Sequence, residues 1–148
     1  MTASSPEAEA LVERRGRAGV IVLNRPKALN ALTLIMIRLI AAALDEWESD
    51  AAVDRVVLRG GGERAFCAGG DIRRLYELGR AGDHDVQLTF WREEYQLDRR
   101  IKTYPKPIVA LCEMNGSRSR RHGQLHAAVH RQVALKGSLH AARRDCHQ

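Results

Sequence analysis

The sequence predicts an α/β fold, and three observations point to it. Short apolar runs rich in β-branched residues, at 18–23, 53–59 and 108–112, end in turn signals or sit behind prolines, as buried strands do. Between them lie longer stretches whose apolar residues recur at three- and four-residue steps, the period of helices. Strand then helix, repeated along one chain, builds a sheet covered by its own crossover helices.

Residues 1–9 carry no apolar period and are expected to be a disordered lead-in to a domain over 10–115. The run Ala-Gly-Val-Ile-Val-Leu at 18–23 is a strand that stops at Asn24-Arg25-Pro26. Thr33 stands where a helix cap belongs, and the helix is expected to run to about Ser49. Its apolar positions Ile37, Ile40, Leu44 and Trp47 fall on one face, while Glu46 and Glu48 near the far end leave only a modest polar face. Residues 53–59 form the second strand, closed by Gly60-Gly61-Gly62. A helix over 72–78 follows, then a longer amphipathic one over about 85–103, with Leu88, Trp91, Tyr95, Leu97 and Ile101 as its apolar contributors. Trp47, Trp91 and Tyr95 read as core, and Arg92, Glu93 and Glu94 as a solvated face. Tyr104-Pro105-Lys106-Pro107 breaks that helix ahead of the third strand, 108–112.

The net charge of +6 is not spread over the domain. After Asn115 come Arg118, Arg120, Arg121, Arg131, Lys136, Arg143 and Arg144 against one acid, Asp145, which leaves the rest of the chain balanced. Residues 116–148 contain no Phe, Tyr, Trp, Ile or Met, and are expected to be an irregular basic tail with little to bury. No apolar run is long enough for a membrane span. The first residues hold neither a secretory leader nor an arginine-rich presequence, so a cytoplasmic location is expected. Three cysteines, Cys67, Cys112 and Cys146, without a CxxC indicate neither a disulfide framework nor a zinc site. Cys67 reads as a small buried residue and His84 as a loop or helix-start residue; no metal site is expected.

Two segments could carry chemistry. In Ala68-Gly69-Gly70-Asp71, two glycines between a strand and a helix let the backbone approach a ligand, and N–H groups opening a helix attract an oxyanion or phosphate. The structural alternative is a tight turn with Asp71 as a helix cap. In Asn24-Arg25-Pro26-Lys27-Ala28-Leu29-Asn30, Arg25 and Lys27 could hold phosphates or could simply be solvated turn residues.

Taken in order, residues 22–32 (Val-Leu-Asn-Arg-Pro-Lys-Ala-Leu-Asn-Ala-Leu), 64–72 (Arg-Ala-Phe-Cys-Ala-Gly-Gly-Asp-Ile) and Tyr104-Pro105-Lys106-Pro107 resemble the enoyl-CoA hydratase/isomerase (crotonase) superfamily. Gly-Gly-Asp-Ile followed by Arg74-Leu75-Tyr76-Glu77, and Phe90-Trp91-Arg92-Glu93-Glu94-Tyr95, are most similar to its 3-hydroxyisobutyryl-CoA hydrolase branch. Hydratases more often carry Gly-Ala-Asp. The resemblance covers roughly residues 10–115. It implies a crotonase-like spiral of ββα units that binds coenzyme A thioesters. Lys27, Ala28 and Leu29 would line the adenine and phosphate end, and Ala68, Gly69, Gly70, Asp71 and Ile72 the adenine and pantetheine path. The Gly70 N–H would be one of two donors to the thioester oxygen. The implied activity is acyl-CoA thioester hydrolysis in valine catabolism, with enoyl-CoA hydration or isomerisation as the alternative. Coenzyme A would enter as part of the substrate, with no separate cofactor.

In the family a glycine-rich segment with the second donor follows the third motif, and then a stretch carrying the catalytic acid. Here Asn115-Gly116 runs into Ser117-Arg118-Ser119-Arg120-Arg121-His122, and the tail contains no glutamate. The sequence therefore reads as a truncated spiral, weakly binding and inactive alone. The tail is read as translated out of frame: residues 120–123 and 145–147, shifted by one base, can encode Gly-Gly-Met-Gly and Thr-Ala-Ile. A different class of function is a non-catalytic body with the basic tail as a nucleic-acid arm. The tail lacks aromatic residues for base stacking, so nucleic acid is not the expected partner.

Overall fold

The computed structural model describes residues 8–112 and the strand 132–134. Residues 1–7 and the rest of the basic tail lie outside the described residues, and with them most of the segments expected to be disordered or irregular. Strand β1 (Ala10–Arg15) and strand β2 (Ala18–Leu23) form a hairpin in which Ala10 faces Leu23 and Arg15 faces Ala18. Gly16 turns it at φ +59°, a left-handed position that glycine takes without strain. The strand β1 was not expected: only its first residue is buried, so Leu-Val-Glu-Arg-Arg shows no alternation to read.

The sheet continues through β3 (Arg55–Gly60) and β4 (Ile108–Leu111), each parallel to its predecessor, to β5 (Gln132–Ala134), antiparallel to β4. Its order is β1-β2-β3-β4-β5. Val20 to Leu23 are all buried, which is why β2 reads as an unbroken apolar run rather than an alternating one. The strand expected at 53–59 begins two residues later. Val53, 1% exposed, is core but sits before the strand, its N–H bonded back to Asp50.

Helix α1 (Leu34–Ser49) opens as expected: the Thr33 hydroxyl accepts from the Met36 N–H at 3.2 Å. It buries Met36, Ile37, Ile40, Ala43, Leu44 and Trp47. Trp47 lies so close over β2 that a Cβ on Gly19 would stand 2.3 Å from its ring. The Tyr-Pro-Lys-Pro segment fastens the other end of α1. The Tyr104 hydroxyl donates to Leu44 O at 2.7 Å, and the Lys106 ammonium donates to the carbonyls of Trp47 and Asp50, the latter at 2.7 Å. A cation on the last carbonyls of a helix satisfies acceptors that have no partner inside it.

Helix α2 (Ile72–Ala81) runs past the expected end to Gly82, which stops it at φ +83°. Helix α3 (His84–Thr103) begins with His84 and buries Leu97 and Ile101 as expected, but the rest of its buried face differs from the expected one. Phe90, Glu94, Leu97 and Ile101 point into the core, whereas Leu88 is 59% and Tyr95 67% exposed. Trp91 packs partly against the core, edge-on to Phe90. The 90/94/97/101 spacing is as good a helical stripe as the one assumed, and the carboxylate in it concealed it. Glu93 stays near the surface, where Arg38 grips it with two 2.8 Å bonds, but Glu94 is 4% exposed. No described helix is long and apolar enough to cross a membrane.

Candidate functional site

Because β2 and β3 run parallel, the turn after β2 and the glycine loop after β3 emerge at the same edge of the sheet, where α/β folds place ligands. After β2 the chain makes a single 3-10 turn, Pro26–Ala28, and then two consecutive left-handed residues, Leu29 (φ 53°) and Asn30 (φ 54°). That double twist reverses the chain and drives the Asn30 side chain inward, leaving it 1% exposed. Its Nδ2 donates to Gly61 O at 2.9 Å and Ala65 O at 2.8 Å, and its Oδ1 accepts from the Arg25 N–H at 2.9 Å.

The glycine loop is laid against this turn strand-fashion. The Ala68 N–H donates to Leu29 O at 3.0 Å. The Leu32 N–H donates to Gly69 O at 2.8 Å, and Leu32 O accepts from the Asp71 N–H at 2.9 Å. This one-residue parallel bridge between Leu32 and Gly70 uses the groups on either side of Gly70 and leaves its own N–H out. Among the described residues the Gly70 N–H donates no hydrogen bond. A half-buried backbone donor with no acceptor among the described residues can donate to a ligand oxygen.

Gly70 is also crowded from α3. A Cβ at this position would lie 3.1 Å from two ring carbons of Phe90 and 3.3 Å from Oε1 of Glu94. The absence of a side chain is what allows the loop to approach α3 this closely. It also brings a buried carboxylate beside the open N–H, a neighbour the solvated-face reading of Glu94 missed. The signal was the 90/94/97/101 spacing.

Asp71 is the helix cap that the structural alternative expected. Its Oδ1 accepts from the Arg74 N–H at 3.1 Å, capping α2, while Oδ2 takes the Arg25 guanidinium at 3.0 Å. Arg25 also donates to Ala31 O at 2.7 Å, so it is part of the site's framework and does not extend as a phosphate ligand. Lys27 and Leu29 are exposed on the outer side of the turn, Ala28 is half-buried, and Ile72 is 63% exposed at the start of α2. Cys67 is half-buried, its sulfur accepting weakly from the Gly69 N–H at 3.4 Å.

On the far side of Asp71 a groove of about 390 Å³ opens between the starts of α1, α2 and α3, walled by Arg25, Thr33, Asp71, Leu75, Val86 and Phe90. Phe90 thus lines this groove and also packs against Gly70. Among the described residues no three His, Cys, Asp or Glu gather as a metal site would need. The segments expected to hold the second donor and the catalytic acid fall outside the described residues.

A family model described as Enoyl-CoA hydratase/isomerase matches residues 18–117. The chain is 51% identical over 133 residues to the mitochondrial 3-hydroxyisobutyryl-CoA hydrolase of Danio rerio, covering 87% of this chain and 35% of that protein. With the Xenopus tropicalis protein of the same name it shares 54% over 107 residues, 72% of this chain and 28% of that one. Among solved structures, an enoyl-CoA hydratase from Rhodobacter sphaeroides 2.4.1 superimposes with a TM-score of 0.66 at 51% identity, over 70% of this chain and 31% of that chain. A carnitinyl-CoA dehydratase from Mycobacterium thermoresistibile gives 0.69 at 42%, over 72% and 31%. The chain spans about a third of the length of these relatives. The expected cytoplasmic location is overturned by the curated relatives, which are named as mitochondrial. The expectation had rested on the composition of the first few residues, and in a chain covering a third of its relatives that composition does not report on compartment.

Proposed function

The chain belongs to the enoyl-CoA hydratase/isomerase family, and from that premise we propose that it carries part of the thioester site of an acyl-CoA hydrolase of the 3-hydroxyisobutyryl-CoA type. The observation that carries the reading is the Gly70 N–H, which among the described residues donates no hydrogen bond, lies between two bonded neighbours and is half-buried beside Glu94. As water attacks a thioester carbonyl, negative charge gathers on the oxygen. A fixed N–H aimed at that oxygen lowers the barrier because it need not reorganise. In the proposed pose, Lys27, Ala28 and Leu29 meet the adenine and phosphate end of coenzyme A, and residues 68–72 follow the pantetheine arm. Coenzyme A arrives as part of the substrate, and no separate cofactor is called for.

In this pose the acyl group approaches Glu94, whose Oε1 would lie 3.3 Å from a Cβ on Gly70, and a carboxylate accepts a hydroxyl hydrogen well. A 3-hydroxyacyl group fits that arrangement, in agreement with the names of the relatives at 51% and 54% identity. We therefore expect 3-hydroxyisobutyryl-CoA to bind this chain more tightly than isobutyryl-CoA by about tenfold or more, the worth of one bond to a charged group. Calorimetric titration tests this: Glu94→Gln should shrink the preference, and equal affinities in the unsubstituted chain would remove Glu94 from the acyl site. The second reading, hydration or isomerisation of an enoyl-CoA, is favoured by the Rhodobacter hydratase at 51% identity. The loop serves both, since each reaction polarises the same carbonyl. Release of free thiol, against loss of enoyl absorbance, separates them. The relatives' names support a mitochondrial location, which fractionation of the native protein would check.

A further inference from the structure

We infer that Asn30 is a positioning residue that aims the Gly70 N–H, an inference that rests on reading Gly70 as a donor to the thioester oxygen. Residues 61–71 contain no helix or strand beyond the single bridge at Gly70, so their course depends on what they are tied to. Asn30 ties them at two points. Its two amide hydrogens go to the carbonyls of Gly61 and Ala65, which bracket the tip of the loop, and its oxygen holds Arg25 at the root of the opposing turn. Every polar atom of the side chain is thereby used, at 1% exposure, in the geometry only a carboxamide provides. Asp would set a carboxylate against two carbonyl oxygens, and Leu or Val would leave both carbonyls unsatisfied.

The backbone of the same turn completes the arrangement. Leu29 O fixes Ala68, and Leu32 fixes Gly69 and Asp71, so the residues on either side of Gly70 take their position from the turn that Asn30 closes. The fit is close. A Cβ on Gly60 would fall 2.5 Å from Ala65 O and 2.9 Å from the Asn30 nitrogen, so the loop folds directly over the end of β3. Asn30 itself makes no hydrogen bond to Gly70. It acts through the loop, and its loss should misdirect the N–H while leaving the sheet and the coenzyme-lining residues in place.

The test compares two ligands on the full chain: isobutyryl-CoA, and the thioether S-isobutyl-CoA, which lacks only the carbonyl oxygen. The unsubstituted chain is expected to bind the thioester about fivefold more tightly, as one hydrogen bond allows. Asn30→Gly keeps the left-handed backbone and removes the ties. It should bring the two affinities to within about twofold of each other, with the thioether affinity little changed. A variant that keeps the fivefold ratio, or loses both ligands in equal proportion, overturns the inference. Equal affinities in the unsubstituted chain overturn the reading of Gly70 instead, and the inference with it. Should Asn30→Gly not fold, Asn30→Ser takes its place, since its short hydroxyl can donate to at most one of the two loop carbonyls. A ratio in Asn30→Ser unchanged from the unsubstituted chain contradicts the inference as well.

Discussion

Gly70 is tightly packed by α3. An added methyl would meet the Phe90 ring at 3.1 Å and the Glu94 carboxylate at 3.3 Å, so α3 or the loop must give by a few tenths of an ångström. Gly70→Ala is expected to cost about 1 kcal/mol, the scale of mild overpacking, measured as a shift in the urea midpoint. A second residue-scale expectation concerns pH. The Arg38 guanidinium, by its hydrogen bonds first and its charge second, holds the Glu93 carboxyl below the usual carboxylate range. A carboxyl whose value is lowered by folding stabilises the fold above the ordinary Glu value, and that contribution is lost as pH falls through the lowered one. Glu93→Gln should therefore flatten the decline of the unfolding midpoint between about pH 5 and about pH 3. The effect is small because the Arg38 side chain is 59% exposed. A decline unchanged by the substitution would contradict it. At this scale the glycines and Asp71 could be read from spacing, because a strand-to-helix turn needs them. Arg25 could not, since its role depends on Asp71, and the 90/94/97/101 spacing could place Glu94 on a buried face but not beside Gly70, which the fold brings to it.

Helix α1 shows how separate pieces of sequence hold one element. Thr33 caps its start, and Lys106, far along the chain, satisfies carbonyls at its end. Thr33→Ala is expected to destabilise by about 1 kcal/mol. Lys106→Met keeps the aliphatic stem but removes the donors to both carbonyls, for an expected loss of about 1–3 kcal/mol. Both are read from chemical denaturation, and a Lys106→Met chain as stable as the unsubstituted one would show that water replaces the ammonium at no cost. The Thr33 cap was legible because capping is local. The use of Lys106 was not: Tyr-Pro-Lys-Pro read as a helix breaker and as a motif of the resemblance, and nothing near it in sequence marks the carbonyls it reaches. The same holds for α3, where periodicity located the helix but allowed more than one buried face. The strand β1 escaped notice because an edge strand with exposed Leu11 and Val12 needs no alternation.

On the scale of the whole molecule, the parallel pairing of β2 with β3 does the main work for the site. It carries two motifs distant in sequence to one sheet edge, where their backbones interlock through Leu29, Leu32 and the glycine loop. The alternation of strand and helix foretold this sheet, and the resemblance foretold which loops would meet. The chain spans about a third of its relatives' length, and its described residues bring a single buried carboxylate, Glu94, to the loop. Thioester turnover by this chain alone is accordingly expected to be negligible against a full-length relative, as free-thiol release would show. The most direct measurement is the amide resonance of Gly70 during titration of the 15N-labelled chain with isobutyryl-CoA and with its thioether counterpart. A downfield shift of that proton with the thioester and not with the thioether is the expected result. A resonance that does not move, or moves equally with both, would contradict the assignment of Gly70 as the oxyanion donor.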